Sequence, residues 1–359
     1  MKKILFASSA LAAVAFAGSA QASDKIQLQL GGFMEQWAGF SDEDAPGSDG
    51  RNNAFQSDTE VYFDGETTLD NGIQVGAHIE LEGETSSDQI DEQFLYVNGG
   101  FGRVEIGKND SAADAMALQA PAVGPVGVND GDLSNWVNAY LIDTIRSSGD
   151  QNRVTYFTPS FGGFRAGVSY ADDSNKNGSF NKNVSTSGGD TTVGGLSSDT
   201  SGNGDSIISG ALAFDHDFNN GVALGLSATG EHSGEGYWVG LGSTVGFGNF
   251  TVGGSYGHTE DDYGLNVTGQ ELDAFDLGVS YAMDAAVVSL SYGYEDVDNS
   301  GDISTVDLGM AYTLGAGVTW KSSLYWFDQD AESTNGAASG GIEGDNDGYG
   351  VVTGLRLDF

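Results

Sequence analysis

Residues 275–293 read FDLGVSYAMDAAVVSLSYG. Apolar side chains occupy every second position from Phe275 to Met283 and again from Val288 to Tyr292, with Asp, Gly, Ser or Ala between them. A period of two is that of a β-strand with one apolar and one polar face. Only Asp284, Ala285 and their neighbours separate the two runs. The stretch therefore predicts two antiparallel strands joined by a tight turn.

The same alternation recurs through the chain, in residues 73–82, 306–312, 318–326 and 349–359. Its polar face carries small or charged residues. A soluble β-sandwich would bury the apolar faces as a shared core, and that interpretation fits any single strand equally well. The lengths of the connections distinguish the two architectures.

Short joins with turn residues recur seven times, at 70–72, 99–102, 160–163, 219–221, 246–249, 284–285 and 314–316. Every other join is expected to be longer and rich in Asp, Asn, Ser and Gly. Alternating short turns and long polar loops are typical of a transmembrane barrel. Seven turns pair fourteen strands, and unpaired strands at 26–37 and 348–359 make sixteen. Lipid offers no hydrogen-bond partners, so the first strand must pair with the last. The prediction is an all-β, antiparallel, sixteen-stranded transmembrane barrel around an aqueous lumen.

The first 22 residues have the features of a secretory signal peptide. Lys2 and Lys3 precede an apolar run, and Ala20-Gln21-Ala22 is a small-x-small cleavage site. The run is too short to span a bilayer as a helix. We therefore expect residues 1–22 to be removed and residues 23–359 to form the barrel domain.

Composition excludes several classes of function. The chain has 52 acidic residues against 13 Lys and Arg, a formal charge of −39, which argues against a nucleic-acid partner. It has no cysteine, which excludes disulfides, cysteine catalysis and cysteine-ligated zinc. No cofactor is required by the pattern.

The chain's end strengthens the barrel interpretation. The last strand alternates up to a terminal Phe359, which resembles the assembly signal of outer-membrane barrels. Together with the signal peptide, the first mature strand (residues 26–32) and the rhythm of turns and loops, the whole mature chain resembles the general porins of Gram-negative bacteria, in their alphaproteobacterial branch. That resemblance implies a homotrimer in outer-membrane lipid and a water-filled channel for passive diffusion of small hydrophilic solutes and ions.

The resemblance also implies that the third long loop folds into the lumen as a constriction. The candidate is residues 109–148, with a helix-compatible stretch at 112–119 broken by Pro121, Pro125 and Gly127. An external loop is the alternative. The acidic residues of this candidate loop are Asp110, Asp114, Asp130, Asp132 and Asp143. The family pattern sets an acidic loop against a basic wall. The basic wall candidates are Arg103, Lys108, Arg153 and Arg165, aided by Arg146 and Arg51; as an alternative, they form structural ion pairs.

The second and third strands depart from that pattern, because alternation places five carboxylates on their lumen face. These are Glu60, Asp64, Glu66, Glu80 and Glu82. His78 is expected to face the lumen beside Glu80. Since carboxylate-lined pores favour cations, the sequence predicts a cation preference.

One segment has the spacing of a calcium loop. Asp296, Asp298, Ser300 and Asp307 occupy positions one, three, five and twelve, with Gly301 at six. The flanking helices of such a site are missing, so a solvated acidic hairpin is the alternative.

Three other classes of function stay open at this point. An outer-membrane enzyme would need a nucleophile, a base and an orienting group, and no serine context suggests one. A calcium-binding β-solenoid would show a fixed short repeat, which is not visible. A substrate-specific channel differs from a general one only by saturable currents.

Overall fold

A computed structural model describes residues 26–44, 52–83, 89–129, 132–172, 181–186, 189–194, 206–264, 269–331 and 344–359. The strands are β1 (Gln27–Glu43), β2 (Asn53–Thr68), β3 (Gln74–Glu82), β4 (Ile90–Gly99), β5 (Gly102–Asn109), β6 (Gln151–Phe157), β7 (Phe164–Ala171), β8 (Asn181–Thr186), β9 (Gly189–Gly194), β10 (Ile207–Asp217), β11 (Val222–Ser233), β12 (Gly236–Phe247), β13 (Phe250–Thr259), β14 (Leu272–Met283), β15 (Ala286–Val297), β16 (Gly301–Gly315), β17 (Val318–Ala331) and β18 (Asn346–Asp358). One short α-helix, α1 (Ala112–Ala115), and a 3₁₀ turn (Asp132–Asn135) lie between β5 and β6. None of the helical segments in the described ranges has the length and hydropathy needed to span a bilayer.

Sixteen strands form one closed antiparallel barrel, which confirms the predicted fold class. The seam joins β1 to β18, with Phe33 opposite Asp358 and Glu43 opposite Gly348. Gly32 and Phe359 exchange two backbone hydrogen bonds of 3.0 Å at its end. Strands β8 and β9 pair only with each other, as a ribbon within the join between β7 and β10. Closure leaves no unpaired barrel edge, as a bilayer demands.

The seven predicted turns each join two barrel strands, but the expectation that all other joins are long is wrong at two places. Only Gly234 and Glu235 join β11 to β12, and only residues 298–300 join β15 to β16. Gly234 (φ 68°) and Asn299 (φ 57°) adopt the left-handed conformation of tight hairpins. Gly, Asn and Asp are enriched in tight turns as well as in long loops, so richness in them does not indicate loop length.

The two faces of the sheet differ as the alternation predicts. Leu212, Leu241 and Leu277 on the outer face are 63%, 60% and 59% exposed, whereas Ala213 and Asp276, their inward neighbours, are buried. A wide apolar outer surface is unstable in water and stable in lipid. The outer face is therefore suited to a bilayer.

The hydrophobic core lies inside the barrel, between its wall and the residues that join β5 to β6. Side chains from this join pack on inward-facing residues of six strands. The join contributes Val126, Leu133, Trp136, Val137 and Ile142; the wall contributes Trp37, Leu272, Ala274, Val297, Ile303, Tyr325, Phe327 and Val352. We call residues 110–150 the inner segment.

Candidate functional site

The inner segment first runs along the inner wall from β7 to β17. Its backbone N–H groups donate to inward-facing side chains on successive strands. The pairs are Ala112 to Ser169 Oγ (3.1 Å), Leu118 to Ser227 Oγ (3.0 Å), Ala120 to Asp276 Oδ1 (3.0 Å), Val123 to Ser289 Oγ (3.1 Å) and Val126 to Ser323 Oγ (3.1 Å). The small hydroxyls of the polar face thus replace the backbone partners that an extended segment lacks.

The segment then returns along the same wall toward β6. The second half of the inner segment donates mainly to longer acidic or amide side chains. The pairs are Asn138 N to Glu43 Oε2 (2.8 Å), Tyr140 N to Gln329 Oε1 (2.8 Å), Asp143 N to Glu295 Oε2 (2.9 Å) and Ser148 N to Glu231 Oε1 (2.8 Å). Both halves therefore line the inner face of the barrel over β7 to β17 and β1.

Inward-facing glycines allow this close approach. A Cβ atom at Gly242 of β12 would lie 2.1 Å from the Leu118 carbonyl oxygen, and one at Gly257 of β13 would lie 2.3 Å from that of Thr144. Backbone atoms cannot turn aside as a side chain can. Glycine at these positions therefore lets the inner segment lie flat on the wall.

The five wall carboxylates lie on the inward faces of β2 and β3, where the register pairs Glu60 with Glu82 and Asp64 with His78. Glu60 accepts from Tyr62 Oη (2.5 Å), and Glu66 accepts from Tyr96 Oη (2.9 Å). Asp64 and Glu66 are exposed although they point inward. Water therefore reaches this part of the inner wall.

His78 lies at the centre of the acidic wall. Its Nδ1 is 2.7 Å from Asp64 Oδ1, and its Nε2 is 3.6 Å from Glu80 Oε2 and 3.7 Å from Glu92 Oε2. Its ring lies between those of Tyr62 (5.9 Å) and Phe94 (5.2 Å). Sequence alternation placed His78 beside Glu80, and the structure adds Glu92 from β4.

The carboxylates of the inner segment have separate partners. Asp114 accepts from Ser147 Oγ (2.5 Å), and Asp143 accepts from the Ile145 N–H (2.7 Å). The Asp110 N–H donates to Glu92 Oε1 (3.3 Å). Asp132 begins the 3₁₀ turn, and Asp130 lies outside the described residues.

Two carboxyls at the base of the inner segment are shifted toward the neutral form. Burial, reinforced by the charges of Asp114 and Asp150, raises the pKa of Asp110 to about 9. Burial and the charges of Asp91 and Glu92 raise the pKa of Asp150 to about 7. Desolvation and like charges both disfavour ionisation. The base of the segment therefore gains negative charge across the neutral and mildly alkaline range.

Three of the predicted wall cations face inward and are near carboxylates. Arg103 donates to Glu105 (2.5 Å) and lies 4.0 Å above the Tyr96 ring. Arg153 is buried under the end of the inner segment, where it donates to Ser148 Oγ (3.2 Å) and lies 3.8 Å from Glu231. Arg165 is next to the short turn after β6, 3.7 Å from Asp215. These ion pairs match the alternative of structural pairing and leave the wall acidic.

The remaining predicted cations are placed differently. Lys108, predicted as part of the wall, lies at the base of the inner segment, where its charge favours ionisation of Asp150. It is fully buried and donates to the Ile90 carbonyl oxygen, so it does not line the lumen. Arg146 of the inner segment pairs with Glu295 (2.7 Å). Burial alone would lower the pKa of Arg146, but its interactions with Glu295 and Tyr140 are stronger, so the pKa is raised overall. Arg51 lies outside the described residues.

The predicted calcium loop does not converge on one point. Asp296 lies on the outer face of β15, opposite Asp302. Asp307 is buried on the inner face of β16, opposite Ser291 and Tyr325. Asp307 lies five positions after Asp302 along the strand, a distance of roughly 16 Å at the usual rise per residue. The hairpin replaces the loop that the spacing predicted, so the four residues do not form an EF-hand-like site.

Some site residues were missed by sequence reasoning. Glu231, Asp276 and Glu295 hold the inner segment, and Arg356 pairs with Glu35 (2.9 Å) above the Phe33 ring. Alternation signals that each faces inward. Alternation does not predict which backbone N–H groups these side chains bind.

Comparison with known proteins identifies the family to which this closed sixteen-stranded barrel, apolar outside and polar inside, belongs. The model of the family described as Gram-negative porin matches residues 7–332. The chain belongs to the Gram-negative porin family. This porin is therefore an outer-membrane protein of a family of channels.

Relatives of this porin agree in length and fold. Outer membrane porin protein 32 of Delftia acidovorans is 24% identical over the full length of both chains. An uncharacterized protein of Rickettsia bellii is 23% identical over 89% of this chain and 91% of its own, in accord with the resemblance to alphaproteobacterial porins. The structure of an anion-selective porin from Comamonas acidovorans superposes with a TM-score of 0.61 at 18% identity, over 93% of this chain and 100% of that chain.

Proposed function

We propose that this porin forms a water-filled channel through which small hydrophilic solutes and ions diffuse passively. The observation that carries the proposal is the inner wall itself: the inner segment is hydrogen-bonded along β7 to β17, and exposed carboxylates line β2 and β3 across from it. A passage between the two is lined by water-accessible polar groups. The inner segment is the proposed constriction.

We further propose that the channel prefers cations. Glu60, Asp64, Glu66, Glu80 and Glu82 line β2 and β3, while Arg103, Arg153 and Arg165 are near carboxylates. Carboxylates that outnumber the cations of a narrow cleft concentrate counter-cations. The Comamonas protein is described as anion-selective, but at 18% identity the likeness concerns the fold.

The reversal potential in a potassium chloride gradient tests this preference. We expect potassium to permeate more readily than chloride, and the double variant Asp64→Asn, Glu66→Gln to lower the permeability ratio. The control, Asp296→Asn, Asp302→Asn, removes two charges from the outer face and should leave the ratio unchanged. Chloride permeating more easily than potassium through the wild-type channel would refute the preference.

The proposal includes export after cleavage behind Ala22 and assembly as a homotrimer in outer-membrane lipid. Residues 1–22 lie outside the described residues. The amino-terminal sequence and the native mass of the protein extracted from membranes test both. Single-channel currents that saturate with one solute would instead favour a substrate-specific channel.

A further inference from the structure

We propose that His78, Glu80 and Glu92 form a binding site for a divalent transition-metal ion, with Zn²⁺ as the best-fitting probe, on the inner wall of the barrel. Only the effect of the ion on transport rests on the proposed function. Binding itself depends on the local geometry of β3 and β4.

Three potential ligand atoms converge at this position. His78 Nε2, Glu80 Oε2 and a Glu92 carboxylate oxygen lie within 4.8 Å of one another, and the imidazole nitrogen is 3.6 Å and 3.7 Å from the two carboxylates. Ligand atoms about 2.1 Å from a tetrahedral zinc ion lie roughly 3.4 Å apart. The present separations therefore need only a small adjustment to bind the ion.

The imidazole is oriented for metal binding by its other nitrogen. Asp64 Oδ1 is 2.7 Å from Nδ1, a distance at which it can accept an Nδ1–H. An ion that takes the place of a proton on Nε2 would lie between His78, Glu80 and Glu92. A carboxylate behind a metal-binding histidine is the usual second layer of such sites. The flanking Tyr62 and Phe94 rings restrict rotation of the imidazole.

A break in the strand pairing brings the second carboxylate to this point. Ile79 pairs with Gln93 and Leu81 pairs with Ile90, so one residue of β3, Glu80, faces two residues of β4. Such a bulge turns a side chain away from its regular direction. Glu92 is one of the two β4 residues opposite Glu80, and it meets His78 across the strands.

The charge of the cluster also favours a cation. Asp64, Glu80 and Glu92 surround one histidine, and among the described residues the salt-bridge partner of all three is His78. One imidazolium carries less positive charge than these three carboxylates carry negative charge when all are ionised. A divalent ion at His78 Nε2 supplies the missing charge. Imidazole and carboxylate together suit zinc better than calcium, which prefers oxygen ligands alone.

A second group, Glu92, Asp110 and Asp150, shares Glu92 and contains only carboxylates. Variants that separate the two groups make the test specific. His78→Gln and Glu80→Gln remove ligands of the proposed site alone, and Asp110→Asn alters only the neighbouring group. His258→Gln is a matched control, because His258 also has an aspartate partner, Asp273, at 3.1 Å.

Calorimetric titration of the full chain in detergent with zinc chloride decides the matter. We expect one Zn²⁺ per protomer, at least tenfold weaker binding in His78→Gln and in Glu80→Gln, and unchanged binding in Asp110→Asn and His258→Gln. Asp64→Asn should weaken binding by roughly 10–100-fold. The circular dichroism spectrum checks the fold of each variant, and Glu80→Gln provides the test if His78→Gln misfolds.

No zinc binding by the wild type, equal binding in His78→Gln and Glu80→Gln, or loss confined to Asp110→Asn would each overturn the site. Planar-bilayer currents keep the two proposals apart. A chain that conducts ions but binds no zinc refutes only the metal site, and a chain that binds zinc but carries no current refutes only the channel.

Discussion

At the scale of single residues, the base of the inner segment contains two carboxyls that ionise across the neutral and mildly alkaline range. Asp110 and Asp150 lie near Asp114, Asp91, Glu92, Lys108 and Arg153, in a setting where burial opposes their ionisation. With a pKa of about 9 for Asp110 and about 7 for Asp150, both carboxyls are largely protonated in mildly acidic solution. Each proton lost adds a negative charge beside the proposed passage.

We therefore expect cation selectivity to increase with pH between about 6 and about 10, because ionisation of the two carboxyls attracts potassium. Reversal potentials measured over this range check the expectation. The double variant Asp110→Asn, Asp150→Asn should show a smaller increase and so a flatter profile. A wild-type profile as flat as that of the double variant would contradict this expectation. Because the two carboxyls interact, the midpoints of the pH profile describe the pair and not either residue alone.

At the scale of elements, the inner segment has little regular structure of its own and is held by the wall. Its one α-helix has four residues, and the serines of β11, β15 and β17 each accept one backbone N–H. A hydrogen bond of this kind contributes about 0.5–1.5 kcal/mol net. The position of the segment thus depends on several modest interactions in series.

The triple variant Ser227→Ala, Ser289→Ala, Ser323→Ala should release the first half of the segment, at a cost of about 2–4 kcal/mol. Hydrogen–deuterium exchange of peptides covering 117–127 should become at least tenfold faster. Ser322→Ala is the matched control, because the Ser322 hydroxyl pairs with Thr353 on the outer face (2.6 Å). Unchanged exchange in the triple variant would show that apolar packing alone holds the segment.

At the scale of the whole molecule, the barrel has its apolar and polar surfaces in the opposite places to those of a soluble protein. The wide apolar surface formed by residues such as Leu212, Leu241 and Leu277 is outside, and buried carboxylates such as Asp276 and Glu295 are inside. The sheet closes through Phe33 to Glu43 of β1 and Gly348 to Asp358 of β18. This arrangement satisfies backbone hydrogen bonds and places lipid against the apolar face.

Leu277→Arg should destabilise the barrel in a bilayer by about 2–4 kcal/mol, because the outer face of β14 meets the hydrocarbon region. Urea titration of folding into lipid vesicles measures the change. Glu66→Arg is the comparison, since an arginine on the exposed inner face stays in water, and its stability should stay near that of the wild type. Equal stability of both variants would refute contact between Leu277 and lipid.

The sequence alone determined the sixteen strands, their faces, the position of seven turns and the seam that ends at Phe359. These features follow from a period of two and from turn residues, which act between neighbours in the chain. The inward direction of His78 and of the β2 and β3 carboxylates follows from the same period.

Only the tertiary structure decided what those side chains meet. Val126 reaches Ser323 across 197 positions, Glu92 meets His78 through a bulge, and Lys108 turns to the Ile90 carbonyl. The calcium spacing failed for the same reason, because a hairpin separated Asp296 and Asp307 onto opposite faces. Barrel closure and the path of the inner segment bring together residues that are far apart in the chain. The local sequence pattern does not predict these contacts, because it reflects only neighbouring residues.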